Sequence, residues 1–268
     1  MGDLIIMQTS GIKSLFLDHR DLLLAWTSRI IRARYQQSVL GGLWAIVQPL
    51  SMVIIFAVIF TLFIPVDTGN VPYMIFAYTA MVPWALFTGS LSEMVQSLVG
   101  NMNLVSKIYF PREILPIAAL LARLLDAVIA FTLLIVMMIF YRMPVLTLSW
   151  LFLPLILVIQ VAFSLGLGFI GAALNVFYRD ITHLVALGLQ IWLYATPIIY
   201  PVTAVPEKYQ TLYFLNPMAG IIESYRAVIL RGEMPQSYLW LSAVIGGIIL
   251  IFGYWIFKRL EFQFADVV

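Results

Sequence analysis

The chain has 268 residues, 63% of them hydrophobic and 10% charged, with a formal net charge of +2 and a mean hydropathy of +1.01. That composition excludes an ordinary soluble domain, and so small a charge does not point to nucleic acid. Cysteine is absent, which excludes disulfide and thiolate chemistry but leaves the compartment open, since a bundle in lipid needs no covalent staples.

In chain order, Met1 to Ser10 holds no basic region followed by an apolar run, so no signal peptide is expected and the N-terminus is expected inside. From Gly11 to Tyr35 the pattern is amphipathic. Leu15, Leu22, Trp26 and Ile30 share a stripe at helical spacing, with Arg20, Asp21, Ser28, Arg29 and Arg32 largely off it. This predicts a helix on the membrane surface; a solvated helix packed on a soluble partner is the alternative. Arg34 to Leu50, RYQQSVLGGLWAIVQPL, then turns from basic and polar to apolar within a few residues, with Pro49 inside the run.

The first span is predicted from Val39 to Ile64, closed by Pro65 and the Asp67-Thr68-Gly69-Asn70 cluster outside. The second, Tyr73 to Val99, carries Glu93 and Gln96 in its last third. Glu93 is expected near the inner interface, or else facing protein, because lipid exposure would cost on the order of a few kcal/mol. Asn101 to Pro116 is the longest polar connection on the inner side. The third span, Ile117 to Tyr141, holds Arg123 and Asp126 on one helix face. They read as a structural ion pair, a proton relay needing more titratable groups in series. In the fourth span, Leu148 to Phe177, the small residues Ser164, Gly168 and Ala172, with Gly166 and Gly171 beside them, suit close helix packing. Tyr178, Arg179 and Asp180 form a charged corner before the fifth apolar run, Leu184 to Ile199.

Tyr200 to Tyr238 is mixed in character. Met218 to Leu230 can form one amphipathic helix with Glu223 and Arg226 three residues apart, and short helices dipping into the outer leaflet are the simplest account. The last span, Leu239 to Phe257, ends at Lys258 and Arg259. Lys13, Arg20, Arg29, Arg32, Arg34, Lys107, Arg112, Arg179, Lys258 and Arg259 then fall inside, against Arg142, Lys208, Arg226 and Arg231 outside. That bias places both termini inside and implies an even number of crossings, about six.

RYQQSVLGGLWAIVQPL, YFPREILP at Tyr109 to Pro116, YRDI at Tyr178 to Ile181 and NPMAGIIESYR at Asn216 to Arg226 together resemble the membrane subunit of ABC-2-type polysaccharide exporters. These are the permeases for O-antigen, capsule and teichoic acid chains. The resemblance runs in order along nearly the whole chain. It implies an all-α membrane protein of six transmembrane helices, with an N-terminal amphipathic interface helix in residues 1–38 and a transmembrane domain in 39–268. A cytoplasmic coupling helix is expected at about 101–113 and short outer-leaflet gate helices at about 201–231.

The same resemblance implies a homodimer with two copies of a separate ATP-binding subunit, in the cytoplasmic (inner) membrane of a bacterium or archaeon. No GxxxxGK[ST] loop occurs, so ATP and Mg would be bound by that partner and no cofactor by this chain. Contacts to the ATPase are expected from Lys107, Tyr109, Phe110, Arg112, Glu113, Arg179 and Asp180. Phe56, Phe60, Trp192 and Tyr194 are expected along the path of a lipid-linked glycan, although most aromatics in such a chain pack or anchor at interfaces. Asn216, Pro217, Glu223 and Arg226 would hold the outer gate. No catalytic or metal site is expected, since His19 and His183 each lack a second ligand at metal spacing. An intramembrane enzyme acting on lipid-linked sugars would need clustered acids or histidines; an ABC-2 permease exporting a drug or a lipid is the nearer alternative.

Overall fold

The computed structural model describes residues 19–36, 38–63, 65–69, 71–107 and 110–264. Among these residues every regular element is helical. Helix α1 (Arg20–Tyr35) precedes α2 (Trp44–Val58), which a 3-10 turn, Gly41–Leu43, leads into and a π turn, Ile59–Phe63, prolongs. Then come α3 (Tyr73–Ser97), α4 (Ile114–Phe140) and α5 (Leu153–Phe177). The shorter α6 (Ile181–Tyr194), α7 (Glu207–Tyr213) and α8 (Pro217–Arg226) are followed by the long α9 (Tyr238–Leu260). The Lys- and Arg-bearing end of the bundle is called inner below.

The stretches Gly41–Phe63, Tyr73–Ser97, Ile114–Phe140, Leu148–Phe177 and Tyr238–Gln263 are long and apolar enough to cross a membrane, five in all. The fifth apolar run of the sequence was expected to make a sixth. It forms a helix of 14 residues only, about 21 Å against a hydrocarbon core of about 30 Å. Its outer third, from Ala195, is unwound because Pro197 withholds an amide and its carbonyls are claimed by other groups. The expected coupling helix at 101–113 is also shorter than the sequence suggested. A 3-10 turn, Val99–Asn101, runs into one α turn, Met102–Val105, and Phe110 to Glu113 is not helical. Pro111 explains part of this, since it disfavours helical backbone at the residue before it.

Helix α3 is the central column. Nearly all its outer two thirds is buried, with Tyr78, Phe87 and Ile75 fully so. It packs on α4 along one side and on α5 along another. The small residues of the fourth span serve two faces at once. Gly168 and Gly171 receive Met94 and Val95 of α3, while Gly166 lies against α9. A Cβ on Gly166 would stand 2.6 Å from the Ile249 carbonyl, and one on Gly253 would stand 2.2 Å from the Gly166 oxygen. Here the α5 and α9 backbones touch, an approach only glycine permits.

The stripe of α1 lies against the chain's own inner end. Leu23 and Trp26 are buried with Leu98, Val105, Ile114 and Ala118, and Leu22 and Ile30 are packed beside them. Arg20, Arg29 and Arg32 are exposed, with the Arg29 guanidinium 4.4 Å above the Trp26 ring. Leu15 and the rest of the predicted helix before His19 lie outside the described residues.

Candidate functional site

Two polar constructions stand at opposite ends of the bundle. The outer one is built on the break after α6. Its chain leaves the helix at Ala195 and exposes carbonyls with no helical partners, which in an apolar environment must find donors. All of them do. Asn216 Nδ2 donates to Ala195 O at 3.1 Å, and the Ile198 amide donates to Thr196 O at 2.7 Å. The Arg226 guanidinium donates to Pro197 O at 2.5 Å, Ile198 O at 2.7 Å and, more weakly, Tyr200 O at 3.4 Å. Tyr73 Oη of α3 donates to Ile199 O at 2.8 Å.

Arg226 is fully buried, and its guanidinium carbon lies 3.6 Å from the centroid of Phe76. Its charge is balanced by carbonyl dipoles and a ring face rather than by a carboxylate. Glu223, three residues before it, pairs with Arg231 at 2.8 Å.

Asn216 is the second fastener of this region. As N-cap of α8 its Oδ1 accepts from the Met218 amide at 3.1 Å, with Pro217 pre-set at the first helical position. The same oxygen accepts from Trp192 Nε1 at 2.9 Å, and Nδ2 also reaches Thr196 Oγ1 at 3.0 Å. Trp192 in turn is wedged edge-on against Phe87 of α3 and Phe163 of α5. Residues Pro217 to Leu230 are buried apart from Glu223, so α8 and the turn after it are packed into the bundle, while α7 has no buried residue.

The inner construction is a ring of four charges. Arg34, at the end of α1, bonds Glu93 of α3 at 2.5 Å and also Asp126 of α4. Arg123 bonds the same two carboxylates, Glu93 at 2.6 Å and Asp126 at 3.3 Å. Tyr35 Oη donates to Asp126 as well. Burial and the Asp126 carboxylate raise the Tyr35 phenol above its ordinary value, so it remains a donor. Gly89 makes room for this ring, because a Cβ there would lie 2.9 Å from Arg123 Nε. That Nε is buried without an acceptor, and Arg123 and Asp126 border a cleft of about 210 Å³ between α2, α3 and α4.

Below the ring, the inner connection is braced on the end of α9. Lys258 bonds Glu113 at 2.7 Å and Glu261 at 2.9 Å. Arg112 donates through its guanidinium to the Glu261 carbonyl and through its amide to Oε1 at 3.3 Å.

A family model described as ABC-2 type transporter matches residues 21–230. The chain belongs to that family. Among curated proteins, this ABC-2 chain is 33% identical to an O-antigen export system permease protein RfbA of Klebsiella pneumoniae, over 92% of this chain and 95% of the relative. It is 28% identical to the protein of the same description in Myxococcus xanthus, with the same coverage. A polysialic acid transport protein KpsM of Escherichia coli is 23% identical over 78% of this chain and 81% of its own length.

The geometry of the ABC-2 chain sorts the residues singled out from sequence. Asn216, Pro217 and Arg226 meet at the break, while Glu223 turns to Arg231. Of the expected path aromatics, Tyr194 is exposed, Phe56 is buried, and Phe60 and Trp192 are half-buried against the subunit's own core. Lys107, Arg179 and Asp180 are exposed, Phe110 and Arg112 are half-buried, and Glu113 is buried on Lys258. Tyr109 lies outside the described residues. The sequence reading missed Arg34 and Tyr35 as partners of Asp126. It also missed Tyr73, whose hydroxyl nothing in the local sequence ties to a backbone carbonyl far along the chain.

Proposed function

We propose that this chain is the transmembrane subunit of an ATP-driven exporter that moves a lipid-linked polysaccharide from the cytoplasmic side across the inner membrane. The observation that carries the reading is end-to-end similarity to O-antigen export permeases, covering 92% of this chain. Two copies of the chain and two ATP-binding subunits would form the complex, with ATP and Mg held by the latter. In this reading both termini are cytoplasmic and α6, with its unwound outer end and the segment of α7 and α8, completes a sixth crossing.

The exposed apolar faces of α2 and α6 would meet across the dimer axis. Val47, Ile54 and Val58 mark that face on α2, and Leu184, Leu187, Ile191 and Tyr194 mark it on α6. Tyr194 would offer a ring to sugar C–H faces, and Phe56, Phe60 and Trp192 would support the wall from behind. ATP binding closes the partner subunits and pushes on Lys107, Tyr109, Phe110 and the Arg179–Asp180 corner. Arg112 and Glu113 transmit that push through Glu261 and Lys258. Asn216, Pro217, Glu223 and Arg226 hold the outer gate shut until the α2 and α6 faces part.

The test is ATP hydrolysis by the chain reconstituted in lipid with its ATP-binding subunit, with and without undecaprenyl-linked glycans. Stimulation by a lipid-linked glycan and not by drugs or simple lipids is expected. Stimulation only by drugs or lipids would make it an exporter of those instead, and absence of any associating ATPase would overturn the assignment. Lys107→Glu should weaken co-purification of the ATPase.

A further inference from the structure

We propose that the Arg34–Glu93–Arg123–Asp126 ring is the rigid link through which a displacement of α1 reaches α3 and α4, with Arg34 and Tyr35 as positioning residues for transport. The proposal rests on the ATP-driven reading above. Its basis is the way the ring is shared out. Arg34 belongs to α1 and holds α3 through Glu93 and α4 through Asp126. Arg123 belongs to α4 and holds α3 through the same Glu93. Each pair among the three helices is therefore bridged, and no carboxylate serves one arginine alone.

Stability is a poor reason for such a ring. Its side chains keep only between 11% and 28% of their exposure, so the cost of taking the charges out of water offsets much of what each pair gains. Apolar residues of similar size would hold the helices as well or better. What charges add is direction. Elsewhere α1 is held by Leu23 and Trp26 against Leu98 and Ile114, contacts without angular preference along which a helix can slide. The guanidinium fork fixes distance and orientation together, and Tyr35 adds a third point on Asp126.

The ring also sits where the chain changes direction. Only Gln36 to Leu43 separate it from α2, and Gly41 turns there with φ +50°. A force on the exposed side of α1 thus reaches α2 through a short elbow and α3 and α4 through the ring. Gly89 keeps the ring compact by leaving its Cβ position to Arg123.

The variant that separates link from scaffold is Arg34→Met/Tyr35→Phe/Glu93→Gln. It removes one charge of each sign, leaves the Arg123–Asp126 pair, and cuts the side-chain hydrogen bonds that join α1 to α3 and α4. In proteoliposomes with the ATP-binding subunit, the expected result is near-native assembly and ATP hydrolysis with glycan transported per ATP lowered about tenfold. A native ratio of transport to hydrolysis overturns the link. A merely structural role would lower assembly and hydrolysis together and leave that ratio alone.

A second measurement needs no broken variant. Because the chain has no cysteine, cysteines placed at exposed Ala25 and Val136 carry spin labels without background. Their distance should be unchanged between nucleotide-free and vanadate-trapped complexes. A distance that changes between those states overturns the link even if the triple variant fails to assemble. If the native complex hydrolyses ATP but shows no glycan transport, the exporter assignment fails while the label distance still decides the link.

Discussion

The two ends of the bundle solve the same problem with opposite means. At the inner end, four charged side chains from α1, α3 and α4 neutralise one another. At the outer end a single buried arginine has no carboxylate and is held by backbone carbonyls and the face of Phe76. A ring of side chains needs a particular residue at each corner. A clamp on carbonyls needs a particular residue on one side only, and what it recognises is a conformation, the unwound segment after α6. The inner device therefore fixes helices to one another, while the outer one fixes a local backbone shape.

The sharpest way to break this contrast is at Arg226. Arg226→Met removes the donor to three carbonyls in a dry site, and the loss should be about 3 kcal/mol or more, because the orphaned oxygens cannot reach water. Thermal unfolding in detergent would show it. Arg226→Lys should recover only a minority, since a point charge cannot span the positions that the fork reaches. Recovery to native stability would mean that charge alone holds the segment.

Asp126→Asn is next in size. It leaves two arginines sharing Glu93 and should cost about 2 kcal/mol, reduced by the partial exposure of the ring. If the ring is a set of shared bonds, Asp126→Asn and Arg34→Met will be far from additive in a double-mutant cycle. Additive losses would reduce the ring to independent surface pairs.

Asn216→Ala is expected to cost between about 1 and 2 kcal/mol through the lost cap and the stranded Trp192 N–H. Trp192 fluorescence should shift with it. Asn216→Asp keeps both acceptor bonds but loses the donations to Ala195 and Thr196, so it should fall between Ala and the native residue. The smallest effect belongs to Tyr35→Phe, about 1 kcal/mol or less, as one bond of several on Asp126.

Much of the fold was legible because membrane spans announce themselves by length and hydropathy. Four of the expected spans and the last one appear at nearly the predicted places. Arg123 and Asp126 were paired correctly because helical spacing puts neighbours three residues apart on one face. Arg34 and Glu93 belong to the same ring, yet no periodicity joins residues on separate helices, and only the packing of α1 brings them together. Pro197 lies inside the fifth run, yet a full span was expected through it. Where the helix stops was not readable, because the carbonyls freed there are stabilised by Arg226 and Tyr73 from other elements. Pro111 likewise lies inside the stretch expected as one coupling helix, and the brace on Lys258 and Glu261 depends on where α9 ends.

The contact between Gly166 and Gly253 gives the molecule a fixed reference frame. Where two backbones already touch, neither helix can roll, slide or approach further without losing the seam. Probes, fusions or antibody epitopes placed on the outward side of α9, at Val244 or Ile248, would therefore travel with α5. Distances measured from there would report what α1, α2 and α6 do, undistorted by motion of the reference itself.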